Sequence, residues 1–232
     1  MEMQLKYFNK KNMLVVKKFV FNPFSVNTYL IWDESSKECL IIDPGCSSAN
    51  EEQQLKSYIT DNHLRVLYML NTHCHIDHIM GCNFINDQYE PEYYIPEKDI
   101  DLLSHAQTQA SAFGLEIKRP PLPDILISEN TQLKIGNSPV TFLFTPGHTA
   151  GEYCFYFKKQ AICVTGDVLF RSSIGRTDLW GGDYDTLINS IRTQLFTLPD
   201  NVLIYPGHGD SSKIGLEKTD NPFLHETNKN YN

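Results

Sequence analysis

A single mixed α/β domain is the fold class this sequence predicts, and three observations predict it. Short apolar runs rich in Val, Ile, Leu, Tyr and Phe alternate with segments of helical period, the pattern of strands interleaved with helices. The 232 residues contain no linker-like tract, so one core is expected and not two. Several strand-like runs are followed at once by a His or an Asp, which would gather polar side chains along one edge of the sheets.

Residues 1–12 are Lys-rich and polar with no clear period, and they read as an N-terminal tail or extension to a domain spanning 13–232. The run LVVKKFVF from Leu14, then TYLIW and CLIID, read as three strands joined at Asn22-Pro23 and around Asp33 to Lys37, an antiparallel opening. Ser48 and Glu51 form a capping box, and Leu55, Tyr58 and Ile59 continue that helix to about Asn62. A strand follows at Val66 to Leu70. Cys82, Phe84 and Ile85 suggest a short helix, YYI from Tyr93 a strand, and Glu97 to Phe113 one helix on which His105 is a surface residue. Arg119-Pro-Pro-Leu-Pro123 breaks regular structure. The second half repeats the plan, with strands near Thr131 to Ile135, Val140 to Phe144, Tyr153 to Phe157, Ala161 to Val164 and Val202 to Tyr205. A helix from about Tyr184 to Leu198 carries the apolar stripe Leu187, Ile188, Ile191 and Leu195, which marks a buried face.

Chemistry concentrates in NTHCHIDHIMG, from Asn71 to Gly81, which puts His73, His75, Asp77 and His78 within six positions directly after an apolar run. A lone His is usually a satisfied surface or core residue, but three with an Asp at this spacing reverse that expectation. In extended chain His73 and His75 project to one side, and Asp77 and His78 follow where the chain bends into a helix. Four donors exceed what one catalytic ion takes from a single loop, so two ions are expected, and imidazole with carboxylate suits zinc, iron or manganese. Further donors are His148 in TPGHTAGE, Asp167 in TGDVLF and His208 in YPGHGD, each just beyond a strand-like run and beside a Gly. Singly, the two His could be turn residues and Asp167 a helix N-cap. Four strand ends that each deliver a metal-ligand type are hard to obtain by accident. Six scattered cysteines without a CxxC pair read as free thiols, Cys74 included, because alternation turns it away from its two His neighbours.

Composition excludes some classes of partner. With 20 Lys and Arg against 28 Asp and Glu, the net charge of −8 disfavours a nucleic-acid partner. No window approaches the roughly 20 apolar residues of a membrane span and the N-terminus has no apolar signal core, so no membrane partner and a cytoplasmic location are expected.

HxHxDH at His73, the distant His148, Asp167 in a Gly-Asp pair and His208 in Pro-Gly-His together resemble the metallo-β-lactamase-fold hydrolase superfamily, over about Met13 to Leu224. NPFSVNTYL at Asn22, SIGRTDLWGGD at Ser173 and IGLEKTDNPFL at Ile214 resemble its compact glyoxalase II-like subgroup. The resemblance implies an αββα sandwich of two mixed β-sheets with helices on the outer faces. It implies one divalent ion on His73, His75 and His148, a second on Asp77, His78 and His208, and Asp167 bridging them, with zinc favoured over iron or manganese. Asp43 in IIDPG would support the metal loops without being a ligand, and Arg176 in GRTD would be a substrate-binding residue.

The activity so implied is hydrolysis by a hydroxide bridging two ions, with Asp77 as the catalytic residue that orients the water and holds its proton. A thiolate, of pKa about 8.5, leaves without acid help whereas an amide nitrogen does not, so the expected substrate is a small anionic thioester. A β-lactam fits less well, because the zinc β-lactamases of the family lack an Asp at the position of Asp167. The alternative is a persulfide dioxygenase, which shares the fold and would use one iron on His73, His148 and Asp167. A non-catalytic metal-binding protein would use the same ligands. The sequence ends eight residues beyond Leu224, so the C-terminal helical segment with which full-length glyoxalase II enzymes grip glutathione is expected to be largely absent, leaving the carrier thiol open.

Overall fold

Strand β2 (Val26–Asp33) is buried along its whole length, and its alternate side chains enter two different cores. In the computed structural model, which describes residues 13–224, it pairs antiparallel with β1 (Leu14–Phe21) on one side and β3 (Glu38–Ile42) on the other. Helix α1 (Ala49–Asp61) starts at the capping box, with Ser48 and Glu51 each satisfying the other's backbone N–H, and returns the chain to β4 (Arg65–Leu70), parallel to β3. Helices α2 (Ile76–Ile79) and α3 (Cys82–Tyr89) precede β5 (Glu92–Pro96), and α4 (Ile100–Ser104) and α5 (Ala106–Ala112) precede β6 (Ile125–Ile127). These six strands form one mixed sheet in sequence order.

The second mixed sheet has the order β14-β13-β10-β9-β8-β7. It is built from β7 (Leu133–Ile135), β8 (Ser138–Phe144), β9 (Tyr153–Phe157), β10 (Ile162–Gly166), β13 (Leu203–Pro206) and β14 (Ser212–Lys213). A small hairpin of β11 (Leu169–Phe170) and β12 (Ser173–Ile174) and helix α6 (Tyr184–Ser190) fall between β10 and β13, and α7 (Ile214–Asp220) closes the order.

The period of two along the strands makes four layers. Tyr29 and Ile31 of β2 meet Phe155 and Phe157 of β9 in a core between the sheets. The intervening Leu30 and Trp32 face α1 and its neighbours, packing with Leu55, Ile59 and Ile85. Cys154 and Tyr156 face Leu187, Ile191 and Leu195 on the other outer side. The result is the αββα sandwich with helices outside. All six cysteines are buried free thiols.

Local expectations differ from the structure in four places. The helix expected from Glu97 to Phe113 is a 3-10 turn followed by α4 and α5, broken at His105. The Ser104 hydroxyl and His105 Nδ1 both donate to Asp101 O, at 2.8 and 2.7 Å, competing with the backbone for that carbonyl. The helix expected to Leu198 leaves α geometry after Ser190 and continues as wider π turns at Ile191–Leu195. Strand β6 lies just beyond the Pro-rich loop. Neither the β11–β12 hairpin nor β14 and α7 was anticipated. The tail expected at 1–12 falls outside the described residues. Among the described residues no helix is long and apolar enough to cross a membrane.

Candidate metal centre

All seven predicted ligands arrive at the same edge of the sandwich. The chain leaves β4 at Leu70, and the loop is stapled by Asn71, whose Nδ2 donates to His78 O at 2.8 Å while its Oδ1 accepts from the Tyr93 hydroxyl at 2.8 Å. Asp43 accepts from Thr72 N and Thr72 Oγ1 at 2.8 and 2.7 Å, and its Oδ2 lies 3.0 Å from His78 Nδ1, a charge contact without hydrogen-bond alignment. Asp43 thus supports the ligand loop from behind, in a left-handed conformation (φ 50°) that Asp tolerates. His75 is the N-cap residue of α2, so Asp77 and His78 occupy that helix's first turn.

The second sheet delivers the rest. His148 follows β8, Asp167 follows β10 and His208 follows β13. His148 Nδ1 must donate to Arg176 O at 2.7 Å, since a carbonyl only accepts, and its Nε2 is therefore free to bind. That Nε2 stands 2.8 Å from His75 Nδ1. Asp167 reaches both sides of the cluster, with Oδ1 3.5 Å from His78 Nε2 and Oδ2 3.6 Å from both His148 Nε2 and His208 Nε2. His208 Nε2 is 3.1 Å from Asp77 Oδ2.

Three overlapping trios have ligand atoms within 4.8 Å of one another, namely His73/His75/His148, His73/His78/Asp167 and Asp77/His78/His208. His73 Nε2, His78 Nε2 and Asp167 Oδ1 are buried with no hydrogen-bond partner, a costly arrangement unless something further satisfies them. A cation would satisfy each of these atoms, and the mixed imidazole and carboxylate set fits a divalent ion. The backbone leaves room for this. A Cβ on Gly207 would overlap Asp167 Oδ1 and crowd His78 Cε1, so the loop can pass the cluster only as glycine.

Charge is divided unevenly. Burial and the neighbouring His78 and His75 push His73 well below the usual imidazole range, and burial with His148 lowers His75 to about 3. Burial also lowers His148. His78 and His208 go the other way. Burial opposes their charge, but Asp77 and Asp167 raise both, with Asp43 adding to His78. Asp77 and Asp167 are held low by the same imidazoles despite their burial.

Two buried acids were not singled out in the sequence. Asp99 Oδ2 accepts from Thr149 Oγ1 at 2.9 Å and Cys74 N at 3.2 Å, tying the loop of His73 and His75 to that of His148. Burial pushes its carboxyl up to about 6, with those hydrogen bonds opposing. Glu152 Oε1 accepts from Asp167 N at 2.7 Å and lies 3.4 Å from His73 Nδ1. The NPFSVNTYL string also gains a role, because Asn27 Nδ2 and the Tyr29 hydroxyl donate to Pro206 O at 2.9 and 2.6 Å and anchor the His208 loop.

The profile of the Metallo-beta-lactamase superfamily matches residues 21–208. The chain belongs to the metallo-beta-lactamase superfamily. It is 39% identical over 203 residues to the hydroxyacylglutathione hydrolase GloC of Haemophilus influenzae, covering 87% of this chain and 93% of the relative. It is also 34% identical over 217 residues to the mitochondrial persulfide dioxygenase ETHE1 of Mus musculus, covering 90% and 76%. Among solved structures, the BLEG-1 B3 metallo-beta-lactamase superposes with a TM-score of 0.83 at 32% identity over 90% of this chain and 99% of the other. TTHA1623 in a di-iron-bound form superposes at 0.79 with 33% identity over 90% and 100%.

The cluster opens onto a cavity of about 720 Å³, lined by His75, Asp77, His148, Asp167 and His208. Arg176 lines it, but its guanidinium is exposed and held by Asp178 through two 2.7 Å hydrogen bonds. Trp180 lines it too, 63% exposed, whereas Tyr29 is core.

Proposed function

We propose that this chain is a metal-dependent hydrolase that cleaves a thioester at a dinuclear centre. One observation carries the reading. Asp77, His78 and His208 form a second complete donor trio, and Asp167 stands between it and the trio of His73, His75 and His148. Two divalent ions, zinc by preference with iron or manganese as alternatives, would be held by these seven residues. Such a pair supplies hydroxide near neutral pH and polarises the scissile carbonyl.

The chain's own groups do the rest. Asp77, whose side chain is 13% exposed and lines the cavity, would orient the attacking water and hold its proton only in passing. His78 and its neighbouring imidazoles hold Asp77 and Asp167 below the ordinary carboxylate range despite their burial, so both enter the reaction as anions. Beyond the ligands, no Asp, Glu, Lys, Tyr or Cys among the described residues lines the cavity to protonate a leaving nitrogen. A thiolate, of pKa about 8.5, needs no such help. Arg176 at the rim is the candidate contact for a negative group on the substrate, in exchange for Asp178.

A second reading is favoured by the likeness to the persulfide dioxygenase ETHE1, for which His73, His148 and Asp167 would hold a single iron. The test is substitution of the second trio. Under the hydrolase reading Asp77→Ala and His208→Ala each lower kcat on thioesters at least ~100-fold, about 2.7 kcal/mol in transition-state stabilisation. Robust oxygen uptake on a persulfide by iron-loaded protein, indifferent to both substitutions, would overturn it. A β-lactam belongs in the same panel because of the likeness to BLEG-1.

A further inference from the structure

The walls of the cavity away from the metal ligands are apolar. Phe24 comes from the β1–β2 turn, Leu102 from α4, Ala112 and Phe113 from the end of α5, and Leu179 and Trp180 from the loop before α6. Four separate segments of chain thus converge on one surface. Phe113 and Trp180 are 55% and 63% exposed, so core packing does not account for either ring. The Phe24 and Phe113 rings meet edge to face at 5.0 Å and 83°, and Trp180 meets His105 at 5.8 Å and 83°, which fixes an aromatic on each side of the mouth.

Polar groups on this wall are few. Gln109 Nε2 donates to Leu102 O at 2.7 Å and Cys74 O at 3.2 Å, and the Arg176 guanidinium lies out at the rim, paired with Asp178. A hydroxyl laid against the apolar part of the wall loses its water without gaining a partner. A two- or three-carbon acyl group would also leave most of the roughly 720 Å³ unfilled.

We infer that the substrate carries an apolar group of aromatic size, seated against Phe24, Phe113 and Trp180. This rests on the thioester reading for the reaction but on the cavity alone for the group bound. The apolar group can sit on the acyl side or on the thiol side of the thioester, and the experiment separates the two.

kcat/KM is measured for acetyl, lactoyl, butyryl, phenylacetyl and phenylpropionyl esters of one fixed thiol. It is then measured for the acetyl esters of alkyl and arylalkyl thiols of matched acidity. The expected result is a rise of roughly threefold per methylene and about 30-fold or more across one series, from lactoyl to phenylpropionyl on the acyl side or from the smallest alkyl to the arylalkyl thiol on the other, which names the side. Phe113→Ala and Phe24→Ala should each shrink that ratio at least fivefold with Tm held. Turnover that rises with apolar size in neither series overturns the apolar pocket and leaves the thioester reading standing. If no thioester is turned over, the thioester reading falls. Calorimetry with phenylpropyl methyl thioether then decides the pocket separately, since binding weakened by Phe113→Ala supports it and absent binding overturns it.

Discussion

Lowering the pH should strip the metal centre in two steps, the trio of Asp77, His78 and His208 first. Without an ion, His73, His75 and His148 are held below the ordinary imidazole range, His75 at about 3, so near neutrality they are already unprotonated and ready to bind. His78 and His208 are raised by Asp77 and Asp167 and carry protons that an ion must expel. The sign follows from mass action. Below its raised pKa each of these imidazoles makes binding tenfold weaker per pH unit, so two together weaken it by up to ~100-fold per unit, about 2.7 kcal/mol. The first trio, whose three imidazoles are all lowered, meets comparable competition only at lower pH. The assay is equilibrium dialysis at fixed free zinc between pH 7.5 and 5, followed by elemental analysis, with far-ultraviolet dichroism to show that the fold persists. Bound metal should fall from two to one per chain over this range, and His208→Ala should hold one ion throughout. Loss of both ions in one step, or retention of both at pH 5, would refute the assignment of protons to the second trio.

Other perturbations address the supports of the site. Glu152→Ala leaves the Asp167 N–H buried without an acceptor and should weaken metal retention about 10- to 100-fold in chelator competition, while Glu152→Gln, which keeps the acceptor, should recover most of it. Equal affinities for the two variants would remove Glu152 from any positioning role. Gly207→Ala puts a methyl against Asp167 Oδ1 and His78, so metal content should drop by at least one ion with the fold retained. Arg176→Ala should raise KM for an anionic thioester severalfold with little change in kcat. Asp178→Ala, which frees the guanidinium, should lower it, and an unchanged KM in both would dismiss Arg176 as a substrate contact.

The clustered donors were legible because their signal is local: four in one short string, the others each just beyond an apolar run. The layers were legible for a similar reason, since strands as strongly patterned as β2 and β9 announce two faces. Asp99 was not, because it sits at the start of a helix and looks like an N-cap, yet its carboxylate caps nothing and turns inward to Thr149 and Cys74. Glu152 stands in the string TPGHTAGE, but nothing in sequence distinguishes an acid that holds Asp167 N from one in solvent. Arg176 shows another limit. Its side chain drew attention, whereas the contact it makes with the ligand set is through its carbonyl to His148 Nδ1, and a backbone acceptor leaves no residue signature. The break at His105 depends on two side chains capturing one carbonyl, which periodicity does not report.

Buried side chains also tie the donor cluster together across the two halves of the fold. His73, His75, Asp77 and His78 come from the first sheet's half of the chain, and His148, Asp167 and His208 from the second. The braces cross the same divide in both directions. Asp99, from the first half, accepts from Thr149 beside His148, while Glu152, from the second, lies against His73 and accepts from Asp167 N. Asn27 and Tyr29 of β2 complete the pattern by gripping Pro206 just before His208. These hydrogen bonds are short and buried, and they join loops that leave two sheets packed on three apolar cores. The sandwich therefore contributes directly to where the donors stand. A small zinc-organised domain differs, because there the ion supplies the folding energy. In this fold three cores and the cross-sheet hydrogen bonds bring the seven donors to one edge, so substitution of a brace such as Glu152 should move donor positions without unfolding the domain.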